Sequence, residues 1–96
     1  MFVELSTLQA QVLVTIRRFG PITPSHIGLR LDFEFEKASA HVTRPLKHLV
    51  TLGLVERVAV NKRVVSYQTT STILPPFRIK KDEEGLKYQR LIHENQ

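Results

Sequence analysis

A chain of 96 residues, 42% of them hydrophobic, supports one domain with one modest core. It has no cysteine, which excludes a disulfide framework and a thiolate metal site, and no apolar run approaches the about 18 residues of a membrane span. The net charge is +5, and residues 37–67 carry all of it, with six basic side chains (Lys37, Arg44, Lys47, Arg57, Lys62, Arg63) against one acid, Glu56. Positive charge gathered on one stretch suits a polyanion; the alternative is a solvated basic face that only keeps the protein in solution.

The start, MFVELSTLQ, lacks the basic lead and apolar centre of a signal peptide, so a cytoplasmic location is expected. Ser6-Thr7-Leu8-Gln9 has the form of a capping box. Leu8, Val12, Ile16 and Phe19 then recur on one helical face, Arg17 and Arg18 complement the dipole of the last turn, and Gly20-Pro21 stops the run. The first helix is predicted over residues 7–19. Ile22 is placed to form a strand of one or two residues.

Thr23 and Pro24 are an N-cap and a first helical residue, so a second helix runs to about Leu31 with Ile27 and Leu31 facing in. Gly28 inside it costs about 1 kcal/mol relative to alanine, and a small residue there suits a close helix crossing. Residues 32–36 form a turn. Its Phe33 and Phe35 are both expected to plug the corner between helices rather than form an exposed partner site, and its acids Asp32, Glu34 and Glu36 to point away from phosphates.

From residue 36 a third helix places Ala38, Val42, Leu46 and Leu49 on one stripe. Lys37, Ala40, Arg44, Lys47 and Thr51 fall opposite, with His41, Thr43 and His48 on the flanks. Pro45 admits two readings: one kinked helix, or two helices that meet there. The unbroken wheel favours the first. Gly53 ends the helix as a left-handed cap. Residues 54–60 and 63–69 are two strands around a two-residue Asn61-Lys62 turn, which exposes Asn61, Lys62 and Arg63 at a tip. Pro75-Pro76 argues for an irregular connector over 73–81. Asp82 caps a last helix, 82–96, whose Tyr88, Leu91 and Ile92 make a narrow apolar stripe suited to a homodimer contact. Three units follow: 1–72, 73–81 and 82–96.

The passage His41-Val42-Thr43-Arg44-Pro45-Leu46-Lys47-His48-Leu49, followed by Gly53-Leu54-Val55-Glu56-Arg57, resembles the winged helix-turn-helix family, in particular MarR- and ArsR-type regulators. In those families a Val-Ser/Thr-Arg triplet precedes Leu-x-x-Leu and then Gly-Leu-Val/Ile-x-Arg. The resemblance covers residues 6–69. It implies an α+β fold, mainly helical, with a three-helix core and a two-stranded hairpin wing, to which the C-terminal helix read over 82–96 is added. It also implies that Thr43 and Arg44 meet phosphates and base edges, that Lys47 contacts the backbone, that Arg57 is the base of the wing, and that Lys62-Arg63 form its tip in or along the minor groove.

The expected function is sequence-specific binding of double-stranded DNA by a MarR-like transcriptional regulator. The binding residues are Lys37, Ala40, His41, Thr43, Arg44, Lys47, His48, Arg57, Asn61, Lys62 and Arg63. The alternative is a winged-helix protein–protein module in a larger assembly. No Gly-rich phosphate loop, His-Glu-x-x-His pattern or nucleophile elbow is present. His41 and His48 stand about 10.5 Å apart along the helix axis, too far to share a metal easily. No catalytic residue, metal or cofactor is expected.

Overall fold

The computed structural model describes residues 3–59 and 63–80. Its elements are β1 (Val3–Leu5), α1 (Thr7–Phe19), α2 (Pro24–Arg30), a 3-10 turn (Phe35–Lys37), α3 (Ala38–Thr51), β2 (Val55–Ala59), β3 (Val65–Thr69) and β4 (Phe77–Ile79). Among the described residues the fold is α+β: three α-helices, one antiparallel hairpin from β2 and β3, and a parallel pair of β1 with β4. None of these helices is long and apolar enough to cross a membrane. The expected helix 82–96 lies outside the described residues, and with it the expected dimer contact.

α1 starts on a complete capping box. Ser6 Oγ accepts from the Gln9 backbone N–H at 3.1 Å, and Gln9 Oε1 accepts from the Ser6 N–H at 2.9 Å. Val12, Leu13 and Ile16 are buried. Phe19, expected on the same face, is exposed instead, with the guanidinium groups of Arg30, at 3.8 Å, and Arg18, at 5.4 Å, over its ring. Arg17 does more than complement a dipole: its Nε donates to the Thr72 carbonyl at 2.7 Å and ties the segment after β3 back to α1.

α2 and α3 end in the same way. At α2, Asp32 takes φ 66°, its N–H reaches the Leu29 carbonyl at 3.1 Å, and the Phe33 N–H reaches the Gly28 carbonyl at 3.0 Å. At α3, Gly53 takes φ 77°, its N–H reaches Val50, and the Leu54 N–H reaches Leu49, both at 3.0 Å. Both are Schellman caps, in which a left-handed residue lets two orphan carbonyls be satisfied. Phe33, just past the first cap, is buried and stacks on His41 with ring centroids 4.2 Å apart. Phe35 is 73% exposed, which corrects the expectation that both rings plug the corner. The cap geometry folds Phe33 back onto the helix, whereas Phe35 opens the 3-10 turn and faces out.

The expected stripe of Ala38, Val42, Leu46 and Leu49 is buried. Helix α3 is continuous through Pro45, which is itself buried. The proline forfeits a hydrogen bond to the His41 carbonyl, but its ring joins the inward face. At α2, Gly28 meets α3 so closely that a Cβ built on it would overlap the carbonyl of Ala38.

The hairpin is antiparallel, with Val55 opposite Thr69 and Ala59 opposite Val65. The two-residue turn expected at Asn61-Lys62 lies outside the described residues, but the register of the strands differs from the one that such a turn sets. A turn made of residues 61 and 62 would set Ala59 against Val64, one residue away. Ile22 forms the short bridge expected of it: its N–H donates to Tyr67 O at 3.0 Å and the Tyr67 N–H donates to Ile22 O at 2.8 Å.

The parallel pair is the largest departure from expectation. Val3 lies beside Phe77 and Leu5 beside Ile79, where an irregular connector was expected over 73–81. Pro76 has no N–H to give, yet its carbonyl accepts from Val3 N–H at 3.2 Å, and the Lys80 N–H donates to Leu5 O at 2.9 Å. Leu5 is wholly buried, and Val3 and Phe77 pack on the core. Residues 77–79 are thus integrated with the helical unit.

Candidate nucleic-acid interface

Burying one stripe of α3 turns the other outward. Ala40, Thr43, Arg44, Lys47, Val50 and Thr51 are all exposed, while His41 and His48 are half-buried at the edges. The Schellman cap at Gly53 leads the chain from α3 directly into β2, so the hairpin stands beside this outward face. Tyr67 fixes its position. Both Tyr67 backbone groups bond Ile22, which leaves Arg57 and Tyr67 as a non-hydrogen-bonded cross-strand pair, the kind whose side chains lie closer together.

Two open hollows result. In the first, Thr43, Leu46, Lys47, Val50 and Thr51 of α3 face Arg57 and Tyr67 of the hairpin, with Pro24 at the start of α2. In the second, Arg44, Pro45, Lys47, His48 and Thr51 of α3 face Gln9 in the first turn of α1. Lys47 and Thr51 belong to both and form the ridge between them. A cation on that ridge serves a ligand on either side, because a lysine head on a four-carbon stem reaches widely.

The residues expected from sequence divide accordingly. Thr43, Lys47 and Arg57 come together in the first hollow, and Arg44, Lys47 and His48 in the second. Arg44 and Arg57 therefore flank the ridge from opposite sides. Ala40 is exposed on the same helix face, Lys37 closes the 3-10 turn, and Arg63 is exposed just before β3. Asn61 and Lys62 lie outside the described residues. His41 has one ring face committed to Phe33, with the planes 13° apart, so that face is not available to a ligand.

Thr43 and Thr51 carry a constraint that spacing alone does not reveal. Thr43 Oγ1 donates to the Ser39 carbonyl at 2.8 Å, and Thr51 Oγ1 donates to the Lys47 carbonyl at 2.9 Å. Each hydroxyl hydrogen is used within the helix, so each side chain offers a partner a methyl group and an acceptor lone pair. Val50, Tyr67, Pro24 and Gln9 were not among the residues expected from sequence. Val50 could have been found on the helical wheel, one turn after Lys47 and two after Thr43. The others depend on packing between elements distant in the chain.

The first hollow is apolar at its floor and cationic at its rim. Such a surface can hold a polyanion by its phosphates while apolar groups meet something uncharged. Among the described residues, no three His, Asp or Glu side chains gather where they could hold a metal. Comparison with protein-family models, with curated proteins and with solved structures finds no match to this chain.

Proposed function

We propose that the chain is a winged helix-turn-helix domain that binds double-stranded DNA sequence-specifically and acts as a transcriptional regulator. Helix α3 enters the major groove, and the β2–β3 hairpin is the wing against the adjacent minor groove or backbone. The observation that carries this reading is the convergence of Lys47 from α3 and Arg57 from the hairpin on one open hollow. The order of helices and hairpin, the Ile22 bridge and the net +5 of residues 37–67 support it. A major groove about 12 Å wide admits a helix of this kind. In this reading Lys47, Arg57 and Arg63 neutralise phosphates and supply salt-dependent affinity, Arg44 reaches phosphate or a base edge from the α1 side, and Ala40 permits close approach.

Selection of bound molecules from a random duplex pool tests this directly. A recurring sequence, enriched over successive rounds and lost when Lys47 and Arg57 are both changed to alanine, is the expected result. Enrichment without a recurring sequence would remove the regulator and leave a non-specific binder.

One observation favours a second reading, a winged-helix module for a protein partner. Phe35 stands 73% exposed between Glu34 and Glu36, and an aromatic ring with flanking acids suits a basic protein surface. Duplex binding that Phe35→Ala leaves unchanged assigns the two surfaces to separate roles. Loss of duplex binding in that variant would move the interface away from α3.

A further inference from the structure

We infer that α3 reads the C5-methyl group of a pyrimidine in the major groove, with Val50, Thr43 and Thr51 as the contacting residues. The inference rests on the duplex binding proposed above and goes beyond it by naming what is read.

Both threonine hydroxyls give their hydrogens to the helix, at 2.8 Å and 2.9 Å, so neither can donate to a base. What they present is a methyl group and an acceptor. Val50 adds a branched apolar side chain, 39% exposed, on a face otherwise built for an anion. Leu46 and Pro24 continue the apolar floor, and the charge in the same hollow comes from Lys47 and Arg57. Arg44, the side chain best suited to grip guanine O6 and N7 as a fork, lines the other hollow.

The major-groove edges of the base pairs then sort themselves. A thymine presents its C5-methyl to an apolar partner, and the adenine paired with it presents an N6 amino donor that a threonine oxygen accepts. A guanine presents two acceptors, which in this hollow only Lys47 and Arg57 could answer, and both are assigned to phosphates in the reading above. Cytosine offers an amino donor but nothing apolar unless it is methylated at C5, where the methyl occupies the same place as in thymine. Thymine and 5-methylcytosine therefore share the chemistry that fits. From Thr43 to Thr51 the helix rises about 12 Å, at 1.5 Å per residue. At 3.4 Å per base step this spans about three steps.

The test is competition between matched random duplex pools at low salt. One pair of pools carries dT or dU, and a second pair carries dC or 5-methyl-dC. The methylated pool is expected to win by about fourfold for each methyl contacted, as expected for one buried methyl-sized group. Val50→Ala, a change at an exposed site, is expected to bring the ratio toward one without altering the dependence on salt. A preference in the first pair alone assigns thymine, and one in the second pair alone assigns methylated cytosine. Equal partition in both pairs, with binding intact, overturns the methyl reading and leaves the duplex reading standing. Failure to retain any pool overturns both.

Discussion

Asp32 and Gly53 hold the same left-handed position in two helix caps, yet only Gly53 was recognisable from its residue type. Glycine enters that region without steric cost, so its presence after a helical run reads as a stop. Aspartate enters it less often, and the turn that Asp32 makes decides a contrast that composition cannot. Phe33 and Phe35 have the same side chain two positions apart, and only the path of the backbone after the cap buries one and exposes the other. Gly28 is set by competing magnitudes. Alanine would gain about 1 kcal/mol of helix propensity. Its Cβ would overlap a backbone carbonyl of α3 that cannot swing aside, and overpacking of this sort costs about 1–3 kcal/mol. Overlap wins, so Gly28→Ala is expected to lower stability in urea unfolding. A rise in midpoint with an unchanged slope would show that α2 and α3 are less tightly apposed than described.

At the scale of elements, the helices were legible and the parallel strands were not. α1 announces itself by a capping box, an apolar period and a Gly-Pro stop, each a local signal read within about four residues. β1 and β4 are three residues each, too short for an alternation to register, and their partners lie more than seventy positions apart in the chain. The Pro75-Pro76 pair misled for a physical reason. Proline removes a donor but keeps its acceptor, and this ladder draws only the acceptor from Pro76. The consequence is measurable. Leu5 is wholly buried, so Leu5→Ala is expected to cost about 2–5 kcal/mol, as at any core leucine. A change under about 0.5 kcal/mol, typical of surface sites, would mean that β1 is an appendage. Likewise the hairpin was legible as two strands from their β-branched content, but its register was not, because no turn residue at 61–62 demands a particular pairing.

At the scale of the molecule, the charge imbalance was visible in sequence, but its arrangement was not. The wheel of α3 separated a buried stripe from a basic face, and that separation is retained in the fold. It could not show that Arg44 and Arg57 fall on opposite sides of the Lys47 ridge, because that depends on where α1 and the hairpin dock. Nor could it show that three further arginines act elsewhere. Arg17 bonds the Thr72 carbonyl, and Arg18 and Arg30 lie over the Phe19 ring; none of the three lines either hollow. These provide an internal control for the central claim, which is that Lys47 and Arg57 neutralise phosphates of a bound duplex. The deciding measurement is duplex affinity over a range of salt for the native chain, for Lys47→Ala with Arg57→Ala, and for Arg18→Ala with Arg30→Ala. Each phosphate contact adds about 0.9 to the slope of log affinity against log salt, so the first double variant is expected to flatten the slope by about two and the second to leave it unchanged. Equal slopes in all three proteins, or no binding at low salt, would contradict the account.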